Sequence, residues 1–187
     1  MAHMKLHLGG GKRYIPGFIH IDIDKYPHID YIHDIGTLPM IKNNSVELIY
    51  FCHGLEYFDR VEVKRVLKEW KRVLKKRGIL RLAVPDFEVL VKVYKKYKDL
   101  NKIEGPLYGR WQVTTKSKKN PQIIYHKTVY DFGSLKNVLE NAGFYNIKRY
   151  DWKKTIHKDY DDYSQAYIPH MDKKRGMLIS LNIEATK

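Results

Sequence analysis

The chain of 187 residues has one cysteine, Cys52, which excludes an internal disulfide. Cys52 closes the apolar run Leu48-Ile49-Tyr50-Phe51, a setting that suits a small buried residue in a reducing compartment better than a catalytic thiol. No apolar stretch approaches the roughly 18 residues that span a bilayer, and no charged, apolar and small-residue leader opens the chain. A cytoplasmic protein without membrane contact is therefore expected. Internal repeats and low-complexity linkers are also lacking, which argues against a solenoid or a chain of modules. Met1-Ala2-His3-Met4 follows no propensity logic and reads as a vector remnant ahead of a native start at Met4.

Acidic residues are the minority: 21 Asp and Glu against 35 Lys and Arg leave a net charge of +14. Such a surplus suits a polyanion partner. Its distribution tempers that reading, because Lys64, Lys68, Lys71 and Lys75 spread along one helix in the manner of a solvated surface. A chain of this length buries most of its apolar surface without a metal or a staple, so a single domain over residues 5–187 is expected.

What is present alternates between period 2 and period 3.6. Strands are predicted at Lys5 to Leu8, Phe18 to Ile23, Asp30 to His33, Val46 to Phe51 and Ile79 to Val84. Helices are predicted at Arg60 to Lys75 and Phe87 to Tyr97. Val63, Val66, Leu67, Trp70, Val73 and Leu74 form one helical stripe, with Asp59 as its cap and Gly78 beyond its end. Residues 101–128 lack strong periodicity; with Gly105-Pro106, Trp111 and the basic run Lys116 to Lys119 they read as a substrate-side loop insertion. A helix from Ser134 to Asn141, a strand from Tyr145 to Tyr150, a Tyr- and Asp-rich connection and a strand from Met177 to Ala185 complete the chain.

The alternation specifies an α/β fold: a Rossmann-like, mainly parallel sheet with an antiparallel C-terminal hairpin. Only about six residues separate Gly11 from Phe18, whereas a parallel crossover needs a dozen or more. The first crossover helices must be shortened to turns. Leu6, Leu8, Ile19 and Ile21 should then face the remaining helices, while Lys5, His7 and His20 face a thin solvated layer or a second subunit.

Four segments carry chemistry. Leu6-His7-Leu8-Gly9-Gly10-Gly11 runs a strand into glycines, where the backbone can turn sharply and approach a ligand. Asp22, with Ile23 beside it, ends the next strand, where a carboxylate can accept both hydroxyls of a ribose; the alternative is a solvated strand end. In His33-Asp34-Ile35-Gly36-Thr37-Leu38-Pro39, Asp34 can accept from an adenine amino group while Ile35 packs on the ring, or Asp34 merely makes an Asx turn. Phe51-Cys52-His53-Gly54-Leu55-Glu56-Tyr57 follows the fourth strand at the carboxyl edge, where open α/β sheets bind ligands. His20, Asp22, Asp24, His28 and His33 lack the compact spacing of a zinc site, so no metal is expected. Asp86 reads as a helix cap, and Trp152, Tyr160, Tyr163 and Tyr167 as a packed cover or a stacking platform.

These segments, with Gly17-Phe18-Ile19-His20-Ile21-Asp22, Glu69-Trp70-Lys71-Arg72-Val73-Leu74-Lys75 and Leu80-Arg81-Leu82-Ala83-Val84-Pro85-Asp86-Phe87, resemble the predicted S-adenosylmethionine (SAM) dependent methyltransferases related to the type 11 group. The likeness runs over about residues 5 to 95 and recurs at Asp131 to Phe144. It implies a class I methyltransferase with SAM as cofactor. On that resemblance Gly9, Gly10 and Gly11 face the methionine part, Asp22 and Ile23 hold the ribose, Asp34 and Ile35 frame the adenine, and Cys52 and His53 lie beside the sulfonium. Gly10 departs from the family's usual Cys, a change expected to be harmless. Gly54 and Tyr57 replace the Val and His of the family's usual His-Val-Leu-Glu-His stretch, and Tyr57 removes the acid-base group found at that position.

An oxygen or nitrogen acceptor carries a proton that a base must take; His126 and His53 are the candidates, because imidazole titrates near neutrality. A small-molecule or glycan acceptor is preferred, with RNA as the alternative that the charge favours. A non-catalytic SAM-fold binding protein is the alternative that the stripped helices favour. Monomer and homodimer both stay open.

Overall fold

The computed structural model describes residues 4–113 and 122–187. Its centre is a seven-stranded sheet of order β3-β2-β1-β4-β5-β11-β8. These strands are β1 (Met4–Leu8), β2 (Ile19–Asp22), β3 (Tyr31–Ile32), β4 (Val46–Cys52), β5 (Leu74–Pro85), β8 (Tyr145–Arg149) and β11 (Ser180–Thr186). Neighbours from β3 to β5 pair in parallel, and β11 runs antiparallel to both β5 and β8. Helices α1 (Glu62–Val73), α2 (Phe87–Tyr97), α3 (Asn101–Tyr108) and α4 (Phe132–Asn141) accompany the sheet, with two small ribbons, β6 (Trp111–Val113) with β7 (Gln122–Ile124) and β9 (Tyr167–Ile168) with β10 (Met177–Leu178).

The expected stripe of α1 is buried, and Leu6, Leu8, Ile21 and Ile49 pack with Val66, Trp70, Leu135 and Leu139 as the main core. Asp59 Oδ1 accepts from the backbone N–H of Val61 (2.8 Å) and Glu62 (2.7 Å), while Glu62 Oε2 accepts from Asp59 N–H (2.8 Å), a reciprocal cap. Asp86 caps α2 as expected, accepting from Glu88 N–H at 3.1 Å, and also pairs with Arg149 at 3.0 Å.

Three expectations are corrected. Gly78 does not end α1: the chain enters β5 directly at Leu74, and Lys75 to Gly78 form an irregularity in the β4–β5 register. The insertion is more than a loop, since α3 and the β6–β7 ribbon lie in it; Lys116 to Lys119 fall outside the described residues. The final strand is two pieces, β10 and β11, assigned to different sheets.

The largest correction concerns the face without helices. The strand alternation is as read, with no helix between Gly9 and Phe18. Yet His7 and His20 are 2% and 1% exposed, neither solvated nor left for another subunit. The chain covers this face itself. Ile15 and Phe18 pack with Leu48 and Tyr50, and the His157 ring stacks on Tyr50 with centroids 3.9 Å apart. The Tyr50 hydroxyl donates to Asp162 Oδ2, and Asp162 Oδ1 in turn accepts from Ser164 N–H at 2.8 Å. His20 Nε2 accepts from Ile15 N–H at 3.0 Å. The reason is length: the connection between β8 and β9 is long enough to fold back over strands that have lost their crossover helices.

Burial keeps the imidazoles of this layer uncharged. His7 and His157 are pushed down to about 3, chiefly by desolvation, and the neighbouring His20 lowers His7 further. Unfolding returns both to an ordinary imidazole value of about 6.5, so the unfolded chain binds protons first as pH falls. Stability should therefore be complete above about pH 6.5 and decline toward pH 3, by up to about 1.4 kcal/mol per pH unit for each imidazole. Thermal melts are expected to show the midpoint falling between pH 6.5 and 5, with a shallower slope in His157→Phe, which keeps the ring and removes the titration. The same layer explains Gly10: a Cβ there would stand 2.4 Å from the His7 ring. Gly10→Cys is expected to destabilise by about 1 to 3 kcal/mol through overpacking, and His7→Asn in the same chain to restore most of that loss, as read by denaturant unfolding.

Candidate functional site

The carboxyl ends of β1, β2 and β4 meet at one edge. Gly9 and Gly11 take φ values of +58° and +57°, which favour glycine. A Cβ on Gly9 would lie 2.8 Å from the Phe51 ring and 3.7 Å from Ile35 Cδ1, whereas a Cβ on Gly11 would meet nothing within 4 Å. The turn is thus packed at one end and open at the other. Asp22 Oδ2 accepts from Gly11 N–H (2.8 Å) and Oδ1 from Asp24 N–H (2.9 Å), so the carboxylate at the end of β2 is joined to the glycine turn. Asp22 is largely buried, which raises its pKa, and Ile23 points outward.

On the other side of the turn, Asp34 makes the Asx turn, its Oδ1 accepting from Gly36 N–H at 2.8 Å, and the residue is exposed. Ile35 is fixed by α1, where Trp70 Nε1 donates to the Ile35 carbonyl at 2.8 Å. Glu69 accepts from Leu38 N–H (2.6 Å) and from Arg72 (2.8 Å), and Arg72 donates to the carbonyls of Leu38 (2.9 Å) and Ile41 (3.1 Å). The α1 segment and the His33 to Pro39 segment are two halves of one contact.

Beyond β4, Cys52 packs with Tyr50 and Ile79 toward the covered face, and burial raises its thiol well above the ordinary value. His53 has φ +48°, an uncommon conformation for a side chain with a Cβ. Its Nε2 lies 3.0 Å from Ser180 Oγ, its ring 5.4 Å from Tyr163, and desolvation pushes it to about 3. His126 comes from the far side, its Nδ1 3.1 Å from the Pro106 carbonyl and its ring edge-on to Tyr57 at 4.6 Å. Burial lowers His126 as well and raises the Tyr57 phenol to about 12, so Tyr57 packs rather than titrates.

Two groups were not singled out from the sequence. Glu56 is 1% exposed, and burial raises its carboxyl to about 8. His53 Nδ1 and His126 Nε2 stand 3.9 and 3.7 Å from its Oε1. The sequence signal was a lone acid among apolar neighbours just past a strand end. Arg13 is the second: its N–H donates to the Gly10 carbonyl (3.1 Å), its Nε donates to the Asp161 carbonyl (2.9 Å), and its guanidinium lies 4.7 Å from the Tyr163 ring centre. No sequence signal distinguished it from other surface cations.

Among the described residues, no group of three or more His, Cys, Asp or Glu is placed to hold a metal ion, and no helix is long and apolar enough to cross a membrane. Residues 18–82 match the family model of the methyltransferase domain. No curated protein matches the chain. A solved SAM-dependent methyltransferase of Thermotoga maritima is similar, with 18% identity and a TM-score of 0.57 over 98% of this chain and 82% of that one. Another, from Archaeoglobus fulgidus, has 14% identity and a TM-score of 0.56 over 100% and 86%. The 1,6-didemethyltoxoflavin-N1-methyltransferase of Burkholderia thailandensis, solved with 1,6-didemethyltoxoflavin and S-adenosylhomocysteine bound, has 11% identity and a TM-score of 0.55 over 98% and 70%. These likenesses show that the chain has the fold of the solved SAM-dependent methyltransferases, and residues 18–82 carry the match to the methyltransferase domain.

Proposed function

We propose that the chain methylates a small-molecule or glycan acceptor, with the cofactor lying along the edge formed by β1, β2 and β4. The observation that carries this reading is the junction of Asp22 with Gly11, which couples a ribose-accepting carboxylate to an open glycine turn at 2.8 Å. The residues fit SAM. Gly9, Gly10 and Gly11 leave room for the methionine part, and Arg13 beside them offers a cation for its carboxylate. Asp22 with Ile23 takes the ribose, Asp34 and Ile35 the adenine, and Cys52 and His53 the sulfonium end. SAM, when bound, supplies an electrophilic methyl group.

The protein's own contribution is alignment and exclusion of water, which together can supply roughly 7 to 11 kcal/mol. The acceptor's proton needs a destination; of the proposed bases His126 and His53, His126 is preferred, because burial holds His53 at about 3. The RNA alternative draws on a cationic groove lined by Lys5, Lys76, Arg77 and Arg81. Lys5 lies near the start of β1 and the glycine turn follows its end, so that groove sits at the opposite edge of the sheet. This separation favours a small acceptor.

Calorimetry should show saturable binding of S-adenosylhomocysteine, weakened by about 1 to 3 kcal/mol in Asp22→Ala through loss of the ribose hydrogen bonds. Folded protein that shows no binding at millimolar nucleoside would end the reading. Affinity for structured RNA at physiological salt is expected to be no better than about micromolar, in the non-specific range. A tight complex that survives competitor RNA would shift the acceptor to RNA.

A further inference from the structure

The hydrogen-bond partners of His53 and His126 settle which ring nitrogens carry protons. The Pro106 carbonyl can only accept, so His126 Nδ1 is the donor of that 3.1 Å contact and His126 Nε2 bears a lone pair. On the other side, Asn182 Nδ2 donates to the Ser164 carbonyl (2.8 Å), which fixes the amide, and the Ser180 hydroxyl donates to Asn182 Oδ1 (3.1 Å). Ser180 Oγ therefore accepts from His53 Nε2 at 3.0 Å, and His53 Nδ1 is left with a lone pair.

Both unprotonated nitrogens lie near the same atom. Glu56 Oε1 lies 3.7 Å from His126 Nε2 and 3.9 Å from His53 Nδ1, too far for direct hydrogen bonds, and neither Glu56 oxygen has a partner among the described residues. Two imidazole lone pairs and a carboxyl thus converge with no hydrogen bond among them, and the one donor they hold is the proton of the neutral Glu56 carboxyl. Other charged or titratable groups nearby bring no cation to Glu56; Cys52 and Tyr130 lie within electrostatic reach of it, and burial keeps both neutral. Tyr57 meets the His126 ring edge-on, Tyr163 and Arg13 lie toward the glycine turn, and Lys127 is held by Glu62 at 2.8 Å. A buried, unpaired carboxyl is costly, and groups of this kind concentrate at functional sites.

We infer that this nook receives a protonated amine, so that the methyl acceptor is an amine nitrogen whose proton passes to Glu56. The inference rests on the methyltransferase reading above and adds the substrate class. An ammonium group brings several N–H donors and a positive charge to a nook that holds a single donor and no cation. A hydroxyl brings one donor and no charge. Approach of the cation lowers the carboxyl's proton affinity, and Glu56 binds as the carboxylate. It then takes one proton from R–NH3+, giving a neutral carboxyl and R–NH2 with a free electron pair. That pair forms the new bond to the methyl carbon, and the pair of the broken carbon–sulfur bond stays on sulfur. The product leaves as the secondary ammonium, and the proton held by Glu56 passes to solvent.

The test uses the full-length protein labelled with 13C at glutamate Cδ, with Glu56→Gln identifying the Glu56 signal. Its deprotonation near pH 8 should move down by at least one pH unit with ethylammonium chloride and stay in place with ethanol. This holds with or without S-adenosylhomocysteine. In parallel calorimetry, phenethylamine should bind at least tenfold more tightly than phenethyl alcohol. Glu56→Gln should abolish that preference while leaving S-adenosylhomocysteine affinity within twofold. Equal responses to amine and alcohol, an amine preference that survives in Glu56→Gln, or zinc binding that depends on Glu56, His53 and His126 would overturn the inference. Failure of the wild-type protein to bind S-adenosylhomocysteine, with the ethylammonium shift intact, would instead overturn the cofactor reading.

Discussion

The missing helices on one face of the sheet are the constraint on which the rest depends. Strands β1, β2 and β4 have two faces, and the short crossover between Gly9 and Phe18 can supply a helix to neither. The face that α1 and α4 leave bare must still be closed, because a polar layer open to water would leave Leu48, Tyr50 and Phe18 unprotected. The chain closes it with its own late connection, through the His157 stack on Tyr50 and the Tyr50 hydrogen bond to Asp162. Because the covering segment passes beside the glycine turn, it also delivers the Asp161 carbonyl and the Tyr163 ring to Arg13. One repair therefore serves both stability and the wall of the site.

The same economy joins the other parts of the site. The Glu69, Trp70 and Arg72 contacts pin the loop after β3 to α1, which sets Ile35 against the glycine turn. The Glu56 carbonyl accepts from Lys127 N–H (2.8 Å) and Thr128 N–H (3.2 Å), which ties the loop after β4 to the segment carrying His126. Backbone bonds, rather than side-chain affinity, thus bring a histidine 70 residues downstream to the Glu56 carboxyl.

Much of the fold was legible because local rules and burial agree there. The α1 stripe, the Asp59 and Asp86 caps, the strand alternation and the antiparallel end of the sheet follow from period 3.6, period 2 and capping chemistry. Errors arose where distant parts decide. Gly78 looked like a helix stop but sits in a β4–β5 irregularity, and its place depends on strand register. The insertion carries α3 because Ile103 finds Leu90 and Val93 of α2, a pairing that residues 101–128 do not encode by themselves.

The sequence by itself determined the order of strands and helices, the glycine turn and the acid at the end of β2, because each depends on a few adjacent residues and their backbone preferences. Only the tertiary structure decided what covers the bare face and what surrounds Glu56. His7, Tyr50 and His157 are far apart in the chain, as are His53, Glu56, His126 and Ser180, and no local pattern marks such partners for one another. Their meeting is set by how the late connection and the segment after β7 pack back onto the sheet, since burial and hydrogen-bond satisfaction are properties of the assembled chain and not of any segment within it.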